Sequence, residues 1–213
     1  MKTKKELEYR AFNFEVKAEE TERGHILTGR PIVYNSQTDL GWYYEVIERG
    51  ALDNTDLTDV RFLVNHDVKS IPLARSRRNN GNSTMKMSVD FYGLNLDYVN
   101  LDTENNDKAR ALYSAVGRGD ISGMSFMFSV DEARWEDLES DKPTRYITKI
   151  SSVVEVSAVT FPAYESTEIY ARSQKELESA KTVLERARSQ KAKAVDTALE
   201  ILKEKTKIIF GGI

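Results

Sequence analysis

The stretch GDISGMSFMFSV, residues 119–130, alternates small residues with large apolar ones. Successive side chains of a β-strand point to opposite faces of its sheet, so Met124, Phe126 and Phe128 share one face with Ser122. That face is apolar and predicts a core strand. The opposite face, which we expect to point away from the core, carries Gly123, Ser125, Met127 and Ser129. The stretch therefore predicts a β-rich fold built around this strand.

Ser125 is the best placed of these serines to act as a nucleophile. Ser122 lies on the core face, and Ser129 has no glycine beside it. Gly123 has no side chain, which leaves room for a substrate backbone to approach Ser125. A serine on the outer face of a strand is also common for structural reasons, so the pattern leaves both interpretations open.

A serine hydroxyl needs a base to become a good nucleophile, and the chain has only two histidines, His25 and His66. His66 follows the apolar run RFLV, so we expect it at the end of a strand, at the core boundary. This position suits a general base, although a structural histidine with satisfied hydrogen bonds would give the same pattern. His25 lies in a polar segment typical of a turn or strand edge.

A candidate acid lies in SSVVEVSAVTFPAY, residues 151–164, where Glu155 interrupts an apolar strand. A buried carboxylate needs a partner, and either an imidazole or an arginine would serve. Asp67 is a rival acid, but it adjoins His66, and adjacent strand residues point to opposite faces. Spacing alone cannot decide the geometry, because nucleophile, base and acid occur in several chain orders.

Short strands and turn signals extend from Glu8 to about Thr167, with one predicted helix in NNDKARALYSAVGRG, residues 105–119. Asn105 or Asn106 would cap this helix, and Gly117 would end it. The acidic segment at residues 131–146 predicts a solvated loop or a hairpin. These patterns indicate an α+β, mainly β fold.

After Thr167 the sequence predicts a long helix, since residues 173–207 contain neither Gly nor Pro. Its apolar positions follow a weak heptad seam made of Leu177, Ala180, Leu184, Ala187, Ala194, Ala198 and Ile201, with Lys191 as a break. The helix would either pack on the body or serve in oligomerisation or partner binding. We predict two parts, a domain over residues 1–167 and a helical tail over residues 168–213.

Composition excludes several classes of function. The chain has no cysteine, which rules out disulfides and thiolate chemistry, and two histidines cannot form a multi-histidine zinc site. We expect no metal and no cofactor, and neither a membrane span nor a secretory signal. Residues 172–213 carry ten Lys/Arg and six Asp/Glu, whereas the rest carries 21 and 28. The acidic body argues against nucleic-acid binding, which is supported only by the short run RSRRNN and the basic tail.

The blocks GRPIVYNSQTDLGWYYEVIERGAL, VRFLVNHDVKSIPLAR, ISGMSFMFSV and VVEVSAVTFPAY, taken in this order, resemble the prohead maturation proteases of tailed phages. The resemblance runs from about Leu7 to Thr167. It implies a mostly antiparallel β-barrel with surrounding helices, similar to the herpesvirus assembly proteases, and a serine endopeptidase activity.

Carried onto this chain, the resemblance implies that Ser125 is the nucleophile, His66 the general base and Glu155 the acid that orients the imidazole. Arg75 in IPLAR is an expected contributor to the oxyanion site, and Gly123 is expected to border the substrate. Met127 departs from the family pattern, which usually has glycine there, and we expect it to crowd the substrate groove.

The resemblance also implies partners and a location. We expect the protein to cleave the scaffolding segment of the major capsid protein, and itself, inside the procapsid in the host cytoplasm. The portal and further copies of the chain are expected contacts, and the repeated ARSQK at residues 171–175 and 187–191 offers self-cleavage sites. The alternative is a non-catalytic assembly or scaffolding protein that uses the C-terminal helix to bind partners.

Overall fold

The computed structural model describes residues 7–12, 16–77, 82–160 and 167–210. The elements in chain order are β1 (Glu8–Phe12), β2 (Val16–Thr21), β3 (Gly24–Val33), β4 (Gln37–Asp39), β5 (Tyr44–Ile47), β6 (Arg61–Val64), β7 (Ala74–Arg75), β8 (Met85–Asp90), β9 (Gly93–Asn100), α1 (Asp107–Gly117), β10 (Gly123–Glu136), β11 (Thr144–Val159) and α2 (Thr167–Phe210). The fold is α+β and mainly β, as predicted.

The described strands form two sheets. The larger follows the order β1-β10-β11-β5-β4, with β6 also pairing with β11 and β7 pairing with β6. The smaller sheet has the order β2-β3-β9-β8. Neither sheet closes on itself within the described residues, so the expected barrel is not confirmed. Most pairs are antiparallel, but β5 and β6 both pair with β11 in parallel.

The long hairpin of β10 and β11 is the centre of the larger sheet. Met124, Phe126 and Phe128 are fully buried on one face of β10, as their alternation predicted. They join a single core cluster with Val156 and Ala158 of β11 and with side chains of the smaller sheet. The acidic segment at residues 131–146 extends this hairpin and turns at its tip, in agreement with the predicted hairpin.

Helix α1 begins and ends close to the predicted positions. The side chain of Asn106 accepts hydrogen bonds from the backbone N–H groups of Lys108 and Ala109, which makes Asn106 the N-cap. Ala109, Leu112 and Val116 are buried against the core. This packing places α1 beside the end of β6 and just ahead of the serine-bearing strand.

Helix α2 packs on the body through its first half. Ala180 is buried with Leu40 and Tyr43, Leu184 is also buried, and Arg188 donates to the carbonyl oxygens of Leu138 and Ser140 in the hairpin turn. Residues 192–203 are exposed. The side chain of Leu177 lies outside the described part of the helix. Neither helix that the structure describes has an apolar stretch of the length needed to span a bilayer.

Candidate active site

The imidazole of His66 lies between the hydroxyl of Ser125 and the carboxylate of Glu155. Nε2 of His66 is 2.5 Å from Oγ of Ser125, and Nδ1 is hydrogen-bonded to Oε1 of Glu155. All three residues are almost fully buried, with exposed fractions of 3%, 0% and 2% in that order. The fold thus brings together three residues that the sequence spreads over ninety positions.

Strand register explains the positions of the serine and the acid. Ser125 is paired with Ser157 across β10 and β11, and Glu155 lies two residues before Ser157 on the same face. Strand β6 lies on the far side of β11, with Leu63 paired with Ser157. The residues that follow β6 are therefore close to the side chains of both Ser125 and Glu155.

A left-handed turn directs His66 back over the sheet. Asn65 and His66 have φ values of 51° and 57°, a region that non-glycine residues rarely occupy. The side chain of Asn65 donates to Oγ1 of Thr160 at 3.1 Å and accepts from the Thr160 N–H at 2.9 Å. These bonds to the end of β11 hold a turn whose backbone conformation is itself unfavourable.

Ser157 is a residue of the site that sequence reasoning did not identify. Its hydroxyl donates to Oε2 of Glu155 at 2.6 Å and accepts from the backbone N–H of His66 at 3.1 Å. Ser157 therefore fixes the acid and the turn together. Its position two residues after Glu155, on the same face, was the available signal.

The face of β10 that carries Ser125 is covered, contrary to the expectation that it is open. Strand β1 lies beside β10 in the same sheet and pairs with residues 124–128, with Ala11 opposite Ser125, and the backbone carbonyl oxygen of Arg10 lies 2.7 Å from Oγ of Ser125. The ring of Tyr9 packs edge-on against His66, with the ring centroids 5.1 Å apart. Because both faces of β10 are covered, Ser125 has no exposed surface.

Charged side chains anchor β1 on the other face of the sheet. The guanidinium of Arg10 donates to both carboxylate oxygens of Glu45, at 2.5 and 2.8 Å. Arg145 bonds to Glu8 at 2.7 Å and to Glu45 at 3.0 Å. Burial raises the pKa of Glu8, but Arg10 and Arg145 together outweigh it and lower that pKa to about 2.

The other predicted site residues have different surroundings. Arg75 donates to the carboxylate of Asp59 at 2.5 and 2.7 Å, so its guanidinium is in an ion pair and the structure gives no support to an oxyanion role. Met127 is buried and lies in register between Tyr9 of β1 and Glu155 of β11, so its side chain does not line an open groove. Gly123 is buried at the start of β10, opposite Val159.

The rival acid and the second histidine have other partners. The carboxylate of Asp67 caps its own turn by accepting from Ser70 and from the Lys69 N–H. Nδ1 of His25 lies 2.5 Å from Oγ1 of Thr103. Within the described residues, His, Asp and Glu side chains do not cluster in threes as metal ligands would.

A hydroxyl, an imidazole and a carboxylate in this order form the arrangement of serine hydrolases, in which the base takes the hydroxyl proton and the acid orients the base. The chain matches the family described as caudovirus prohead serine protease over residues 12–182, and it belongs to that family. The family indicates a serine protease with a role in capsid maturation, inside the procapsid in the host cell. Searches of curated proteins and of solved structures found no match.

Proposed function

We propose that the protein is a serine endopeptidase with Ser125 as nucleophile, His66 as general base and Glu155 as the orienting acid. The observation that carries the proposal is the continuous chain of hydrogen bonds from Oγ of Ser125 through the His66 ring to Glu155. Either His25 or His66 could have been the base for Ser125. The hydrogen-bond geometry favours His66, because His25 lies against Thr103.

In the first half of the reaction, Nε2 of His66 removes the hydroxyl proton while Oγ of Ser125 attacks the carbonyl carbon of the scissile bond. Glu155 accepts the Nδ1–H bond and stabilises the imidazolium that forms. The bond from Ser157 keeps Glu155 in place during this step. The resulting tetrahedral intermediate carries its negative charge on the former carbonyl oxygen.

Breakdown of this intermediate uses the proton that His66 has taken from Ser125. His66 gives it to the leaving nitrogen, the peptide bond breaks, and the N-terminal part of the substrate stays on Ser125 as an ester. His66 then removes a proton from the water that attacks the ester, and it returns this proton to Oγ of Ser125 as the acid product leaves. Since Ser125 is fully buried, a peptide reaches Oγ only after the chain that covers it moves.

The proposed substrates are the scaffolding segment of the major capsid protein and the protease itself, with the portal and further copies of the chain as contacts. Both ARSQK copies lie within α2, and Arg188 of the second is bonded to the hairpin turn. Cleavage there requires local unfolding of the helix. The side chains of the first copy lie outside the described residues.

A second candidate function is a non-catalytic assembly role. The exposed end of α2 supports it, because Val195, Leu199 and Leu202 follow helical spacing and are each about half exposed. An apolar stripe of this kind suits binding to another helix. The division of the chain into residues 1–167 and a tail over residues 168–213 is part of the same proposal.

Co-expression with the capsid protein from the same phage tests the two functions. We expect wild-type protein and Ser129→Ala to shorten the capsid protein, and Ser125→Ala and His66→Ala to leave it intact. Ser129 is the matched control, since it is another buried serine of β10. Equal shortening by all variants would refute the triad, and no shortening by any would favour the assembly role.

Self-cleavage is tested separately. Intact-mass spectrometry after incubation is expected to show loss of C-terminal mass from wild type and none from Ser125→Ala. An unchanged mass in both would remove self-cleavage from the proposal and leave cleavage of the capsid protein standing.

A further inference from the structure

An apolar groove of about 500 Å³ lies next to His66, between the turn after β6 and helix α1. Its lining is mainly apolar and comes from β6 with the turn after it, from α1 and from the segment before β10. Leu63 and Ile71, Ala111 and Leu112, and Ile121 represent these three parts in turn. Asn65 and Asp67, the residues on either side of His66, also line it. The wall of the groove is therefore the same turn that positions the proposed base.

The rim of the groove exposes a large apolar side chain. Ile71 is 83% exposed although it belongs to the lining. Polar groups stand around it, since Nζ of Lys108 lies 3.3 Å from Oγ of Ser70 and Ser70 is bonded to Asp67. An apolar floor with a few polar groups at its edge is the usual composition of a site that takes an apolar group from a ligand.

The distance to Ser125 matches a short length of substrate. Leu63 pairs with Ser157, which in turn pairs with Ser125, so Leu63 and Ser125 are two strand spacings apart. Two spacings amount to about 10 Å. An extended peptide covers that distance in about three residues. A substrate bound at Ser125 and passing His66 thus reaches the groove with a side chain close to its scissile bond.

We propose that this groove is a specificity subsite that accepts a large apolar side chain of the substrate, within about three residues of the scissile bond. The inference rests on the proposed function, because it takes Ser125 and His66 as the reacting groups. The occupant is an extended polypeptide substrate, since the groove is continuous with the turn that carries the base. The groove has room for a side chain as large as Leu, Ile, Met or Phe, and its charged groups, Asp67 and Lys108, stand among a mainly apolar lining, which favours an apolar occupant over a charged one.

Ala111→Phe tests the groove from the helix side. Ala111 is exposed on α1 and lines the groove, so a phenyl ring there fills the space without disturbing the core. Ser114→Phe is the matched control, because Ser114 is exposed on the same helix and outside the groove. Ile71→Asp and Val68→Asp form a second pair, in which Val68 is a 54% exposed residue of the same turn outside the lining.

The probe is a proteome-derived peptide library incubated with the full-length protein, with Ser125→Ala as background. We expect wild-type cleavage sites to be enriched in large apolar residues at one position within three residues of the cleaved bond. Ala111→Phe and Ile71→Asp should lose this enrichment, and kcat/KM for the best wild-type peptide should fall about tenfold or more, mainly through KM. The two control variants should keep both.

Labelling with a fluorophosphonate separates failure of this inference from failure of the proposed function. If Ser125 of the wild type neither reacts nor supports cleavage, the proposed function fails and the subsite with it. If Ser125 reacts but the cleavage sites show no apolar preference, or the same preference in Ala111→Phe, the subsite alone is refuted.

Discussion

The hydroxyl oxygen of Ser125 lies 2.7 Å from the backbone carbonyl oxygen of Arg10, the residue before its partner Ala11 on β1. Nε2 of His66 lies 2.5 Å from the same hydroxyl oxygen. The Ser125 hydroxyl has only one proton to donate. When His66 is neutral and donates from Nδ1 to Glu155, its Nε2 and the Arg10 carbonyl oxygen compete for that proton. The position of β1 therefore bears directly on the reactivity of the serine.

Glu45→Gln should loosen β1. It breaks a buried pair with Arg10, for which removing one charge costs about 3–5 kcal/mol of the free energy of unfolding. We expect a lower urea midpoint and faster amide exchange in β1. Asp59→Asn, which breaks the exposed pair with Arg75, is the control and should shift the midpoint little. Equal shifts in the two variants would contradict an anchoring role for Glu45.

Stability should fall with acid because of Glu8. Its pKa is about 2 in the folded protein and ordinarily 4.5, so its contribution is present above pH 4.5 and is lost as the pH falls towards 2. The difference corresponds to about 3 kcal/mol. Urea unfolding at several pH values should show this slope in the wild type and a smaller one in Glu8→Gln. An unchanged slope would assign the acid sensitivity to other carboxylates.

Glu155→Gln should keep the fold and lose activity. The amide cannot stabilise the imidazolium, and the corresponding Asp-to-Asn change in a Ser-His-Asp triad lowers kcat on the order of 10⁴-fold. The exposed acid Glu132, changed to Gln, should retain wild-type kcat. Single-turnover cleavage of a peptide substrate measures both, and equal rates would remove Glu155 from the site.

Asn65→Val should reduce both stability and kcat. A β-branched residue is unfavourable at a φ of 51°, by roughly 1–2 kcal/mol, and the bonds to Thr160 that hold the His66 turn are lost. Asn35→Val is the matched control, since Asn35 has a φ of 55° in a turn outside the site. We expect a comparable loss of stability there and an unchanged kcat. A normal kcat in Asn65→Val would show that the turn does not position the base.

Gly93→Ala should destabilise the smaller sheet strongly. An added Cβ would lie 2.0 Å from the carbonyl oxygen of Ile32, and φ is 142°. Gly41→Ala shares a positive φ of 89° but meets open space, so it should cost only the backbone strain, about 1 kcal/mol. Thermal unfolding measures the loss of stability in the two variants. Similar losses would mean that the backbone of Ile32 moves away from the added Cβ at little cost.

Local patterns carried a large part of the prediction. Alternation in β10 separated Ser125 from Met124 and Phe126, and the structure keeps them on opposite faces. The end of an apolar run placed His66 just beyond β6, where it is found. Asn106 caps α1, as one of the two predicted asparagines. These features depend on neighbours within a few positions, which is the range over which side-chain period and capping act.

The features that sequence reasoning missed all depend on distant pairing. The pairing of β1 with β10 joins residues more than a hundred positions apart, and it brings the ring of Tyr9 and the Arg10 carbonyl oxygen to a site where Ser125, predicted to be open, is buried. The role of Ser157 depends on the turn after β6 reaching across β11. The parallel pairing of β5 and β6 with β11 likewise leaves no local signature. The mostly antiparallel barrel was expected from the family resemblance and not from any strand pattern.

The sequence by itself determined which residues were available for the chemistry, because one chain with two histidines and no cysteine offers few combinations. It also determined the strand periods that separate Ser125 from the core face. Only the tertiary structure decided that His66 joins Ser125 to Glu155, that the serine is buried beside β1 and that a groove opens beside the turn that carries the base. The physical reason is that strand register and edge pairing arise from packing between segments far apart in the chain, which no local pattern encodes.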